Sequence, residues 1–325
     1  MFAVRGIIVA FIEFLIVYCT LSLAVLCVWR RVWLSLSFNG SRLRQHSARR
    51  AANLLFSLRM FPFVASLLIT AAVTIPSFVL LEPRAVDEPL SALLLGLGVC
   101  AVALVIYGAA NAMWAARKVG QSISVWTAAA SPIEPCASVP VWRIAPRVPA
   151  MTAVGILRPR ILLSGAAESA LTAGELQVAL SHEVAHTRRR DNLKKLLMRF
   201  VAFPGLGGLE AAWLEATELS ADDDAVSSAG EALDLAAALI KLSHLALEPA
   251  EDLTASLVRG PKSLMSTRIQ RLIAWAEWSR AGQSRAAAFS PWYGLAAVLT
   301  SIAAFVHVYS HLLARVHTAT EWLVR

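Results

Sequence analysis

The segment Ser181-His182-Glu183-Val184-Ala185-His186 carries the pattern H-E-x-x-H. On a helix, residues four apart share a face, so both imidazoles can reach one metal ion. Glu183, between them, is placed to accept a proton from an attacking water. That residue set points to zinc-hydrolase chemistry. A purely structural zinc site is disfavoured, because such sites are closed by four protein ligands, often cysteines, and no cysteine lies nearby.

The segment reads as helix because Thr172-Ala173-Gly174-Glu175 forms a capping box upstream. Thr172 can accept from the backbone three residues on while Glu175 reaches back. Arg188, Arg189 and Arg190 fall near the later part of this helix. Before it, residues 131–164 are rich in Pro, Val and Ile, with extended runs at 139–144 and 160–163 that read as strands and turns. A small sheet leading into a zinc-binding helix suits a zincin-type peptidase, in which an edge strand holds an extended substrate by main-chain hydrogen bonds.

Catalytic zinc takes a third protein ligand and leaves one position open. Downstream runs Glu215-Ala-Thr-Glu218-Leu-Ser-Ala-Asp222-Asp223-Asp224, a second helix with a carboxylate-rich face. Glu218 is the choice for the third ligand. Asp222 lies one turn later on the same face and can hold a ligating imidazole through its other ring nitrogen. Glu215 has no acid four residues on, and Asp223 and Asp224 read as a solvated face. Residues 196–214 are apolar but interrupted by Arg199, Pro204, three glycines and Glu210. If His182, His186 and Glu218 bind one ion, this stretch cannot cross the bilayer, so it reads as an interfacial or buried hairpin. Amphipathic helices are expected over 233–245 and 267–278, and His244 reads as a structural histidine.

The rest of the chain belongs in a membrane. Its 325 residues are 57% hydrophobic and 16% charged, with a mean hydropathy of +0.60. Apolar runs at about 7–28, 61–81, 90–110 and 292–313 are each long enough to span a bilayer as a helix. Glu13 lies near the start of the first and reads as interfacial, and Pro76 should kink the second. Gly108 and Ala112 leave room for a close helix neighbour. The connection at 29–60 holds seven arginines and no acid, which keeps it on the cytoplasmic side and accounts for much of the net charge of +8 without nucleic acid. His307 and His311 read as interfacial rather than as a second metal site. No disulfide framework is indicated by the four cysteines.

The expected fold is therefore mainly α: four transmembrane helices with a cytoplasmic α+β domain inserted between spans 3 and 4. Residues 1–114 form the N-terminal membrane domain, 115–285 the zinc domain, and 286–325 the fourth span with a short tail. Both termini lie outside.

The chain resembles the BlaR/MecR family of bacterial membrane zinc metallopeptidases, which act as signal transducers. The resemblance rests on Gly155-Ile-Leu-Arg158-Pro159-Arg160-Ile-Leu-Leu-Ser164, on His182 to His186 followed by Arg189-Arg190-Asp191-Asn192, on Glu218-Leu-Ser-Ala-Asp222, and on Thr267-Arg268-Ile269-Gln270-Arg271-Leu272. It implies a gluzincin-like domain at the inner membrane with one Zn2+ held by His182, His186 and Glu218, and with Glu183 as general base. It also implies a protein substrate, either a cytoplasmic transcriptional repressor or the transducer itself. After His311 only a short tail follows, where antibiotic-sensing members carry a penicillin-binding sensor domain, so a β-lactam signal is not expected. HtpX-like quality-control peptidases share the two metal-binding patterns, and Arg268 fits their closing motif near the substrate. The alternatives are thus housekeeping proteolysis, or a non-catalytic zinc-stabilised sensor or scaffold. Oligomeric state is not legible.

Overall fold

The computed structural model describes residues 2–38, 48–82, 91–128, 130–133, 139–144, 150–245, 255–256 and 262–280, together with positions 309, 311, 313–316 and 318. The chain is mostly helical with one small mixed sheet, and it divides into two compact units. The first contains Met1–Arg31, Met60–Tyr107 and Ser284–Arg325; the second contains Val32–Arg59 and Gly108–Gln283.

Three helical stretches are long and apolar enough to cross a membrane: Phe2–Arg31, Ala48–Leu81 and Ala92–Thr127. They belong to α1 (Phe2–Phe38), to α2 (Ala48–Ile69) with α3 (Ile75–Leu81), and to α4 (Ala92–Thr127). A fourth apolar run at 292–313 falls mostly outside the described residues. The helices outrun the apolar runs read from the sequence. At 1.5 Å per residue, a helix the length of α4 covers about 54 Å, well beyond a hydrocarbon core of about 30 Å. Arg117 and Lys118 end the apolar pattern but are good helix formers, so the helix continues through them. The basic connection is likewise largely helical: Arg30 and Arg31 lie in α1, and Arg49, Arg50 and Arg59 lie in α2.

Within the first unit, Phe63 sets its ring edge-on against Phe14 and Tyr18, at centroid distances of 5.7 and 6.4 Å. Glu13 is half-buried on α1. Pro76, expected to kink its helix, is preceded by a π-helical turn. Without an N–H it cannot bond to the carbonyl four residues back, that of Ala72, and residues Thr70–Thr74 relax into a π-helical turn. The Ala72 carbonyl instead accepts from Tyr309 Oη at 2.7 Å.

In the second unit the sheet has the order β1-β2-β4-β3-β5. Its strands are β1 (Ser131–Ile133), β2 (Val141–Ile144), β3 (Met151–Val154), β4 (Arg160–Ser164) and β5 (Ala255–Ser256). β2 and β4 match the runs read from sequence and pair in parallel; the other pairings are antiparallel. At the β3–β4 connection Gly155 takes φ +90°, where a side chain would strike the Arg158 carbonyl. Then follow α5 (Gly165–Ala170), α6 (Ala173–Arg188), α7 (Asp191–Phe200), α8 (Gly207–Ala225), α9 (Ala229–Leu245) and α10 (Lys262–Arg280). The expected hairpin at 196–214 is the end of α7, a turn over 201–206, and the start of α8.

The capping box is present on α6: Thr172 Oγ1 accepts from Glu175 N, and Glu175 Oε2 accepts from Thr172 N at 2.8 Å. This helix is covered on more than one side, as one running through a core must be. Val178, Leu180 and Val184 join Ile161, Leu163, Leu235 and Leu239 in the main apolar cluster, while His182, Glu183 and His186 are also buried.

Candidate metal centre

Helices α6 and α8 bring His182, His186 and Glu218 together in a buried group that could hold a metal ion. The two Nε2 atoms lie 3.1 Å apart. Glu218 Oε2 lies 3.6 Å from His182 Nε2, and Glu218 Oε1 lies 3.6 Å from His186 Nε2. A tetrahedral ion with bonds of 2.0–2.1 Å has ligand-to-ligand edges of about 3.3 Å, which these separations bracket.

Each imidazole is oriented from behind. His182 Nδ1 lies 3.0 Å from Asp222 Oδ1, the carboxylate selected from sequence for this position. His186 Nδ1 lies 2.8 Å from Asp191 Oδ2, a partner the sequence reading did not assign. With His186 Nδ1 donating to Asp191 and His182 Nδ1 set against the Asp222 carboxylate, each ring directs its Nε2 towards the other and towards Glu218. When both rings are neutral, their lone pairs and the carboxylate facing one another at such range repel, and a dication between them removes the conflict. The donor set and its spacing therefore fit a metal.

Asp191 reaches His186 because the chain turns sharply after α6. Arg190 adopts φ 54°, the left-handed region, and among the described residues it alone does so without being glycine. Arg189 then ties the end of α6 to α8, donating to Ser220 Oγ at 2.6 Å and to the Thr217 carbonyl at 3.1 Å. Asn192 Nδ2 donates to the carbonyls of Ala153 and Gly155, fastening α7 to β3.

A further group on the site is Arg268 from α10, which is fully buried. Its Nε and Nη2 donate to the two Asp222 oxygens at 2.8 and 2.6 Å, and its Nη1 lies 3.1 Å from Glu218 Oε2. Sequence resemblance pointed to Arg268 near a substrate; the structure places it behind the third candidate ligand, paired with two carboxylates. One turn on, Arg271 pairs with Asp223 at 2.7 Å. Asp223 is thus partly covered, whereas Asp224 is exposed as expected of a solvated face. His244 is exposed near the end of α9, and His311 is exposed; His307 lies outside the described residues.

Glu183 is fully buried. Its Oε2 accepts from Ala153 N on β3 at 2.8 Å, and its Oε1 has no hydrogen-bond donor among the described residues. Burial pushes its carboxyl up to about 7, reinforced by Glu218 and opposed by His182 and the Ala153 N–H. Burial acts on Glu218 in the same sense, but His186, His182 and Arg268 outweigh it and hold the group at about 2. Asp222 is also lowered, burial being overcome by Arg268 and His182. Burial pulls both imidazoles down. For His182 the carboxylates of Asp222 and Glu218 reverse the shift, while His186 stays lowered. Beside His186 lies a cleft of about 210 Å3 lined by Gly155, Leu157, Asp191, Asn192 and Leu193.

No family profile matches the sequence, and no curated protein matches it.

Proposed function

We propose that this chain is an integral-membrane zinc endopeptidase of the BlaR/MecR type, with a gluzincin-like cytoplasmic domain carried between spans 3 and 4 of a four-span topology. The observation that carries the reading is the convergence of His182, His186 and Glu218, with Glu183 buried beside them and one of its oxygens receiving no hydrogen bond. The arginine-rich connection at 29–60 supports a cytoplasmic site.

Zinc held by these three residues would supply Lewis acidity, polarising a carbonyl and acidifying water near neutral pH. Asp222 and Asp191 keep both Nε2 atoms directed at the ion. Arg268 holds Glu218 ionised, as a ligand must be. Glu183 takes the proton of the attacking water and delivers it to the leaving amine. Its Oε2 stays on Ala153 N, which fixes the direction of the other oxygen.

The substrate class in this reading is a protein at the cytoplasmic face, such as a transcriptional repressor. One observation favours the chain itself as a second substrate. β5 lies antiparallel on β3, the strand whose Ala153 N–H reaches Glu183, so a segment of this chain already runs extended beside the site. The test is incubation of purified native protein and Glu183→Ala with candidate repressors, with zinc content and chain integrity recorded for both. Native protein alone should cleave repressor or itself at equal zinc content. Cleavage that persists in Glu183→Ala refutes the assignment.

A further inference from the structure

α7 links the candidate metal centre to residues on two helices that include candidate spans. Its first residue, Asp191, orients His186, and its second, Asn192, fastens β3. Its far end poses an accounting problem, because the last carbonyls of a helix have no partner within it. The Leu197 carbonyl is satisfied locally by Val201 N at 2.9 Å. The next ones are met by side chains from remote sequence. Arg59 of α2 donates to the carbonyls of Met198, at 3.4 Å, and Val201. Asn111 of α4 donates to the Arg199 carbonyl at 2.9 Å. The Phe200 carbonyl sits against Gly108 of α4, where a methyl group would overlap it. Along its length α7 also sets Leu196 against Ala115 and Val119 of α4, and Lys194 Nζ 5.7 Å over the Phe56 ring of α2.

We infer that Arg59 and Asn111 are positioning residues for His186, acting through α7. The inference rests on the reading of His182, His186 and Glu218 as a metal site, though not on cleavage. A ten-residue helix is a stiff rod of about 15 Å. Its near end joins α6 through two residues, one of them in the left-handed region, so rotation there is absorbed by very little chain. The position of Asp191 against His186 is then set by where the far end is held. That hold consists of a buried guanidinium, an amide and a glycine on α2 and α4. A change in the relation of α2 to α4 would move Asp191 and alter how firmly His186 presents Nε2. This gives the site a route of regulation from the helices that include the candidate spans.

The test uses the full-length protein in detergent, with zinc affinity read by chelator competition and the ligand field read from the visible absorption of the cobalt-loaded protein. Gly108→Ala wedges the Phe200 carbonyl away while raising the helix propensity of α4. Arg59→Met combined with Asn111→Leu removes the hold, and Arg59→Lys keeps a cation there. The wedge and the double variant should each lose zinc affinity by about tenfold or more and shift the cobalt bands, as expected when a ligating histidine loses its outer partner. Arg59→Lys should recover part of the loss. Leu235→Ala, in the main core, should lower thermal stability and leave both metal readouts unchanged. Native affinity and native cobalt bands in Gly108→Ala overturn the inference, whether or not the double variant folds. Native protein that loads zinc but cleaves nothing would overturn the peptidase reading and leave these measurements standing.

Discussion

Two glutamates from different helices meet at the candidate metal centre, and their surroundings treat them oppositely. Glu183 on α6 is buried, and burial, reinforced by Glu218, outweighs His182, the Ala153 N–H and Lys195 and pushes its carboxyl up to about 7. Glu218 on α8 is equally buried but faces two imidazoles and Arg268, and it is held at about 2. The residue type is the same, yet one environment raises the carboxyl and the other lowers it. Burial alone does not assign a role; the nearest cation does.

The strongest way to break this comparison is to exchange the roles. Glu183→Ala should reduce proteolysis by about 10^2–10^4-fold, the usual worth of general acid–base catalysis, with zinc content unchanged. Glu218→Ala should instead abolish tight zinc binding, measured by metal analysis after dialysis. Next in size, Arg268→Met leaves Asp222 and Glu218 buried without their cation. It should destabilise the metal-free protein by about 3–5 kcal/mol in thermal or denaturant unfolding. Added zinc should recover more of that loss than it adds to native protein, because the ion replaces part of the missing positive charge.

A smaller effect sharpens the contrast through pH. In the unfolded chain a glutamate ionises near 4.5, but folded Glu183 holds its proton to about 7. The folded state is therefore penalised above pH 4.5, and the penalty is complete above 7, on the order of 3 kcal/mol. Glu183→Gln should raise the melting temperature of metal-free protein at pH 8 and leave it unchanged at pH 4. Glu218 has the opposite sign. Its depressed value contributes stability above 4.5 that is lost as pH falls towards 2, so Glu218→Gln should destabilise at pH 8 and lose that difference in acid. If both variants move the melting curve in the same direction at pH 8, the two environments are not opposed as described.

Much of the site was legible because its signals are local. Two histidines four apart, a capping box ten residues upstream, and an acid one turn beyond another acid all report helix faces, which follow from spacing alone. Asp222 beside His182 was reachable for that reason. Asp191 was not, because its contact with His186 depends on a left-handed Arg190, and an arginine in sequence gives no sign of that conformation. For Arg268 the sequence offered only the place that a resemblance implied, near a substrate. Its partners lie on α8, separated by a long connection, and only tertiary packing shows that it backs the third candidate ligand. β3 is buried at all four positions and so carries no period-two pattern, and β5 has only two residues. The long helices continue past the apolar runs because apolar runs measure where lipid can lie, whereas helices stop where backbone bonding stops.

The π-helical turn before Pro76 shows how far one missing hydrogen can act. By withholding a donor from the Ala72 carbonyl, the proline leaves an acceptor that apolar surroundings cannot satisfy, and the phenol of Tyr309 fills it. Tyr309 is thereby tied to the Ala72 carbonyl within the first unit. Replacing that tyrosine with phenylalanine would take the phenol donor from the Ala72 carbonyl and leave in place the hydrogen bond from Ser77 Oγ to the Leu313 carbonyl.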